Sequence, residues 1–185
     1  VNDWLLFNEW ERRETERALV FAGVRHAGQV RRGIGEPYIN HPTRVAQMVS
    51  RTACRTTAMM VTALLHDVLE DTVTTPQELT EYFGPEVSWY VQLLTDVGGG
   101  NRESRMSASR RRLGASSWQV QTIKLADSID NTASIVEVDP KFARVYLTEK
   151  ELLLPYLRDG DAVLWARLKE QIAEQWDKLR TPSRA

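Results

Sequence analysis

The segment Leu64-Leu65-His66-Asp67-Val68-Leu69-Glu70-Asp71-Thr72 closes an apolar run with one imidazole and three carboxylates. At about 100° per residue, His66, Asp67, Glu70 and Asp71 share one side of a helix. Asp67 lies three residues before Glu70 and four before Asp71, close enough on a helix for like charges to repel. Residues 58–65 are nearly all apolar, which predicts a helix packed on most sides. Anions beside so dry a segment are costly unless a positive charge sits among them. A divalent cation meets that need, and one His with one Asp supplies half of a mixed nitrogen and oxygen site.

The chain has three histidines, at 26, 41 and 66. A histidine taken alone is ordinarily a surface residue or a satisfied core residue; for His66 the acidic neighbours reverse that reading. His41 stands beside Pro42 at an expected helix start, where the proline fixes the backbone direction of a ligand. His26 has no acidic neighbour and is read as a supporting or structural residue. Far along the chain, Ile123-Lys124-Leu125-Ala126-Asp127-Ser128-Ile129-Asp130-Asn131 offers another acid, Asp127, in an otherwise apolar segment, with Asn131 one turn further on. The other reading of that segment is a solvated face carrying Lys124, Asp127, Asp130 and Asn131, and spacing alone does not choose between them.

Helices must position these residues, because the chain shows almost no strand alternation. The 3.6-residue period predicts helices over about 10–30, 41–53, 56–69, 76–83, 85–97, 118–138, 141–157 and 162–179. Leu19, Val20, Val24 and Ala27 mark the apolar recurrence of the first; Trp165, Leu168, Ile172 and Trp176 mark that of the last. Two glycines and a proline make Arg31 to Pro37 a loop. The polar stretch 98–117 reads as a second loop enclosing at most a short helix. Its cluster Arg102, Arg105, Arg110, Arg111 and Arg112 is read as solvated in preference to a basic lid over phosphates or a partner surface. With no internal repeat, the reading is one all-α, single-domain helical bundle over residues 1–185.

Composition narrows the rest. At 185 residues, 42% hydrophobic and 26% charged, the chain can bury a substantial core and is not a disordered polymer. A net charge of −1 gives no whole-molecule attraction to nucleic acid or anionic membrane. No run approaches the roughly 18 apolar residues of a membrane span, and the N-terminus lacks a basic-then-apolar signal pattern. Neither a membrane nor a nucleic-acid partner is therefore expected. The single cysteine, Cys54, rules out an internal disulfide and a cysteine-based zinc site and fits a reducing, cytoplasmic setting. Its place in the periodic run 49–58 predicts a small buried hydrophobe. The first residue is Val, so an initiator and a few more residues are expected to precede it.

Four blocks, in order, resemble the hydrolase domain of the RelA/SpoT homologue family, which belongs to the HD phosphohydrolase superfamily; in length the chain is similar to the small alarmone hydrolases. The blocks are Ala27-Gly28-Gln29-Val30-Arg31-Arg32, then Gly35-Glu36-Pro37-Tyr38-Ile39-Asn40-His41-Pro42, then Leu64 to Thr72, and finally Ile123-Lys124-Leu125-Ala126-Asp127 with Asn131. The likeness covers roughly residues 15–137. It implies a helical fold of the HD type, with metal ligands at His41, His66, Asp67 and Asp127 and a catalytic acid pair at Glu70 and Asp71. The implied metal is Mn²⁺, though two imidazoles and two carboxylates suit other divalent first-row ions at least as well. Such an ion lowers the pKa of a water and neutralises charge on phosphoryl oxygens. The implied reaction removes the 3′-diphosphate of ppGpp and pppGpp, giving GDP or GTP and pyrophosphate. Arg31 and Arg32 match the family's basic pair for the nucleotide, Asn131 its ribose contact, and Arg144 with Tyr146 a late substrate contact. Nothing resembles the family's synthetase domain, so degradation without synthesis is expected. A homo-oligomer is compatible with all of this.

The chain departs from the family around the substrate. Ser128 and Asp130 stand where the family often has a basic residue and an aromatic or His, and Thr132-Ala133-Ser134 where an Arg is common. The loop after Arg32 is one residue longer, with Gly33-Ile34. These changes keep open the same site acting on another nucleotide, an adenosine alarmone or the 2′-phosphate of NADPH. A further alternative is a nucleotide-sensing or antitoxin-like binding module, against which the intact Glu70-Asp71 pair counts.

Overall fold

The computed structural model describes residues 8–96 and 99–181; among them every regular element is helical, and the only extended pairing is a single antiparallel bridge between Val30 and Pro37. The all-α class is as the sequence predicts. The chain divides into two compact units, Val1–Arg31 with Gly35–Val97, and Arg32–Ile34 with Gly98–Ala185.

The first unit contains α1 (Glu9–Arg25), α2 (Asn40–Ser50), α3 (Thr57–Leu65), α4 (Val68–Asp71) and α5 (Pro76–Leu94). Asn8 and Glu11 close a reciprocal capping box at the start of α1, and Thr56 and Thr75 cap α3 and α5. Helix α3 is the core: Met59, Met60, Val61, Thr62, Ala63, Leu64 and Leu65 are all buried, as the apolar run predicts, and α1, α2 and α5 pack around it. Full burial of one such Leu or Met contributes about 1.5–3 kcal/mol.

Several expectations are corrected here. Helix α1 stops at Arg25, because Gly28 turns the chain with φ 77° and Val30 enters the bridge. Its inner face is Thr15, Ala18 and Ala22, and not the Val20–Val24 stripe, which is 66% and 69% exposed. Small residues let α1 lie close on α3. The helix expected over 56–69 breaks after Leu65, with Asp67 at φ −100°, ψ −5°, before α4 resumes. Helix α5 covers the segment expected at 76–83 and most of that expected at 85–97, ending at Leu94, with residue 97 outside the described residues, but Gly84, at φ 86° and ψ 165°, is the kink the glycine announces. Cys54 is exposed, since α2 ends at Ser50 and leaves it in a turn.

The second unit contains α6 (Arg102–Gly114), α7 (Trp118–Thr132), α8 (Ile135–Val138), α9 (Pro140–Leu153), a 3-10 turn (Leu154–Leu157) and α10 (Ala162–Arg180). Of the loop expected over 98–117, residue 98 lies outside the described residues and the rest is mostly helix: Asn101 caps α6, and Ser109 and Leu113 bury its inner side. Arg102 grips Glu149 through two hydrogen bonds of 2.6 and 2.8 Å. Helix α7 is the core element, and its buried polar residues are put to use. Gln121 Oε1 accepts the Asp159 amide at 3.0 Å and Thr122 Oγ1 the Asp161 amide at 2.9 Å, fixing the turn into α10. From α10, Gln171 Nε2 donates to the Ile129 carbonyl and Gln175 Nε2 to that of Ala133. Leu168 and Ile172 are buried on α10 as expected, joined by Leu164 and Gln175, while Trp165 and Trp176 stay half-buried. No helix among the described residues is long and apolar enough to cross a membrane.

Candidate metal centre and substrate loop

His41 occupies the first turn of α2, followed by Pro42, and both are buried. His66 and Asp67 sit at the break between α3 and α4, where the chain turns without leaving the αR region. The break aims both side chains into one space. His66 Nδ1 lies 2.9 Å from the Ala63 carbonyl, which can only accept, so that nitrogen carries the proton. Its Nε2 is then turned to Asp67 Oδ2 at 3.1 Å, and His41 Nε2 faces the same oxygen at 3.5 Å. The two imidazoles meet edge to face with centroids 5.1 Å apart. His41 is 2% exposed and His66 3%.

A lone pair of a neutral imidazole directed at a carboxylate oxygen is repulsive unless a proton or a cation lies between them. Buried nitrogen and oxygen donors held in this way fit a divalent first-row ion. Asp67 Oδ2 also accepts a hydrogen bond from the Tyr38 hydroxyl over 2.7 Å. Burial, and next the Asp67 charge, push the Tyr38 phenol far above its ordinary pKa, so it remains a donor. Glu70 and Asp71 follow one turn on and are exposed; both of their amides bond back to the Asp67 carbonyl, at 3.1 and 2.9 Å. Glu70 Oε2 accepts the Asp96 amide.

The basic loop is better built than its glycines suggest. Arg31 N–H donates to the Glu36 carbonyl and Tyr38 N–H to that of Gln29, each at 2.9 Å, so the loop is the tip of a short antiparallel pairing. The Glu36 carboxylate takes two bonds from Arg44 (2.6 and 2.9 Å) and one from Asn40 (3.2 Å), with Arg31 Nη1 3.8 Å away. The Arg44 hydrogen bonds hold the Glu36 carboxyl below its usual pKa. Arg31 is half-buried and Arg32 exposed. Gly33, in the second unit, has φ 78°, and a Cβ there would stand 2.2 Å from Val138 Cγ1. Glycine is required twice over.

Within the second unit, Asp127 is 3% exposed, which excludes the solvated-face reading. Its Oδ2 pairs with Lys124 Nζ at 2.8 Å and its Oδ1 accepts from Asn131 Nδ2 at 2.6 Å, so the i,i+3 and i,i+4 neighbours on α7 hold the carboxylate. Ser128 is fully buried. Arg144 and Tyr146 lie two residues apart on α9 and so face different sides: Arg144 is exposed, while the Tyr146 ring sits under Lys150 Nζ at 4.7 Å.

Sequence reasoning did not single out Tyr38, Glu36, Arg44 or Lys124 for the site. Tyr38 stands three residues before His41 and Lys124 three before Asp127, spacings that could have marked them; Glu36 and Arg44 are joined only by the fold.

This helical fold, with a paired His-Asp and a second histidine converging on it, defines an HD domain. Residues 18–153 match the HD domain family, and the chain belongs to it. Among relatives it is similar to a guanosine-3′,5′-bis(diphosphate) 3′-pyrophosphohydrolase of Aquifex aeolicus (strain VF5), 37% identical over 125 residues, which is 66% of this chain and 18% of that protein. It is also similar to the guanosine-3′,5′-bis(diphosphate) 3′-pyrophosphohydrolase MESH1 of Drosophila melanogaster, 36% identical over 115 residues, 61% of this chain and 64% of that one. The chain thus matches less than two thirds of either relative's length. Among solved structures, a metazoan ortholog of SpoT that hydrolyses ppGpp and plays a role in starvation responses superposes with a TM-score of 0.80 at 29% identity, covering 88% of this chain and 95% of that one.

Proposed function

We propose that this chain is a metal-dependent hydrolase that removes the 3′-diphosphate of the guanosine alarmones ppGpp and pppGpp. The observation that carries the reading is the convergence of His41 Nε2 and His66 Nε2 on Asp67 Oδ2, with two exposed carboxylates one turn beyond. The names of the relatives support the substrate.

In this reading His41, His66, Asp67 and Asp127 hold a divalent ion, Mn²⁺ by resemblance to the RelA/SpoT homologues. When bound, the ion supplies Lewis acidity, lowering the pKa of water and offsetting phosphoryl charge. His66 lends only Nε2, because Nδ1 is committed to Ala63. Water's oxygen bonds to the phosphorus borne by the ribose 3′ oxygen, the bond between that phosphorus and oxygen breaks, and one of water's protons ends on the 3′ oxygen. The products are GDP or GTP and pyrophosphate. Glu70 and Asp71 orient the attacking water and pass its proton to the leaving oxygen. Arg31, with Arg32, takes the diphosphate charge. Asn131 contacts the ribose, and Arg144 or Tyr146, which face different sides of α9, a later part of the nucleotide. The chain acts as one HD-type hydrolase domain in the cytoplasm, alone or as a homo-oligomer.

The test is to incubate the Mn²⁺-loaded protein with ppGpp, pppGpp, their adenosine counterparts and NADPH, and to separate the products. Pyrophosphate with GDP or GTP is expected. Release confined to the adenosine compounds or NADPH would move the same chemistry to another nucleotide, as Asp130 in place of the family's aromatic or His would allow. No release from any of them contradicts the proposal.

A further inference from the structure

We propose that Tyr38 is a positioning residue for Asp67, holding the oxygen that faces the metal ligands in place before an ion arrives. The inference rests on the reading above that Asp67 is a ligand. The Tyr38 hydroxyl donates to Asp67 Oδ2 at 2.7 Å, the same oxygen that His66 Nε2 and His41 Nε2 face. Asp67 stands at a helix break, and its side chain makes no capping bond to the amides of α4. The Tyr38 hydroxyl reaches that carboxylate from another segment. A carboxylate oxygen has two lone-pair directions. A hydroxyl fixed on one of them leaves the other for an ion and sets where it points.

The tyrosine is itself fixed from three sides. Its ring stacks on His26 with centroids 4.7 Å apart and planes at 28°, and meets the His41 ring edge to face at 6.0 Å. Its amide donates to the Gln29 carbonyl at 2.9 Å. Gln29 completes the frame: its Oε1 accepts from His26 Nδ1 at 2.8 Å, and its Nε2 donates to the Asp71 carbonyl at 2.9 Å. His26 is 3% exposed, which assigns the histidine without an acidic neighbour a place behind Tyr38. Gln29 and Tyr38, joined by one backbone bond, thus hold both ends of the segment 67–71. Bonds to ligand residues of this sort set ligand orientation and metal affinity.

The test compares the wild-type chain with Tyr38→Phe, which keeps the ring and its stacking and removes only the donor. Mn²⁺ affinity is measured by competition with a chromogenic chelator, with no nucleotide present. Tyr38→Phe is expected to raise the Mn²⁺ Kd about 10–100-fold, while the melting temperature of the metal-free protein and, at saturating Mn²⁺, the KM for ppGpp stay at wild-type values. Tyr38→p-aminophenylalanine, which restores an N–H donor at the same place, is expected to bind Mn²⁺ close to the wild-type level. It decides the question even where Tyr38→Phe fails to fold. Equal affinity in wild type and Tyr38→Phe, or a p-aminophenylalanine variant as weak as Tyr38→Phe would be, overturns the proposal. Tight Mn²⁺ binding by wild type without attack on ppGpp contradicts the proposed function alone, and the Tyr38 claim is then judged on affinity. A wild-type chain that binds no Mn²⁺ overturns both.

Discussion

The imidazole of His66 offers a single nitrogen to a ligand, because the other is tied to the Ala63 carbonyl. In the proposed site that leaves Nε2 as the atom His66 lends, and His66→Ala removes it. Glu70 and Asp71 differ in kind, being exposed and next to the proposed ligands rather than among them. Glu70→Gln keeps shape and removes the carboxylate proposed to handle the proton, so kcat is expected to fall about 10²–10⁴-fold with Mn²⁺ affinity unchanged. A parallel loss of metal would show that Glu70 acts as a ligand instead. At the loop, Glu36 has a folded pKa below its unfolded value, chiefly through the Arg44 hydrogen bonds. The stabilisation from its ionised form is fully present above the usual 4.5 and disappears as pH falls through the lowered folded value. Glu36→Gln should therefore be less stable than wild type at neutral pH, with the gap closing in acid. A gap that widens on acidification would contradict this pairing.

Helices supply the rigidity on which these residues depend, and glycines set how closely the elements approach. At Gly160 a Cβ would stand 2.8 Å from Leu125 Cδ1 and 3.1 Å from backbone atoms of Gln121 and Thr122. Backbone cannot give way as a side-chain end can. Gly160→Ala is expected to cost about 1–3 kcal/mol, seen as a lower midpoint in urea; an unchanged midpoint would mean the turn relaxes freely. Ala22→Leu, on the face by which α1 meets α3, should fall in the same range of about 1–3 kcal/mol by overpacking.

The same scale explains what the sequence could disclose. The dry helix at 57–65, the break at Gly84 and the places of Leu168 and Ile172 on the inner face of α10 were legible because apolar spacing and glycine act locally. The inner face of α1 was hidden, since Thr15, Ala18 and Ala22 are small and the larger Val20 and Val24 point to solvent. Helix α6 is longer than the short helix the sequence allowed, because its arginines and serines carry almost no apolar stripe, and packing through Leu113 decides the matter. The grouping of His66 with Asp67 was legible, but its cause was not: a turn between two helices, not one continuous helix face, aims both at the same space. Glu36 and Arg44 meet through the loop's backbone pairing, which no residue spacing encodes.

At the scale of the whole molecule, a net charge of −1 means that recognition of the proposed, highly charged nucleotide would fall to local cations such as Arg31 and Arg32. Membership of the HD domain family and the arrangement at Asp67 both bear on one requirement, a divalent ion held by this chain. An ion that binds only the folded chain must also stabilise it. At about a hundred times its Kd the gain is about 2.7 kcal/mol, so Mn²⁺ should raise the melting temperature of wild type and leave that of His66→Ala unmoved. The most direct test measures pyrophosphate release from ppGpp by the chelator-stripped protein before and after Mn²⁺ is restored, with His66→Ala alongside. The account predicts no release without metal, full recovery on its return in wild type, and none in His66→Ala. Release that persists after stripping, or that survives in His66→Ala, would contradict it.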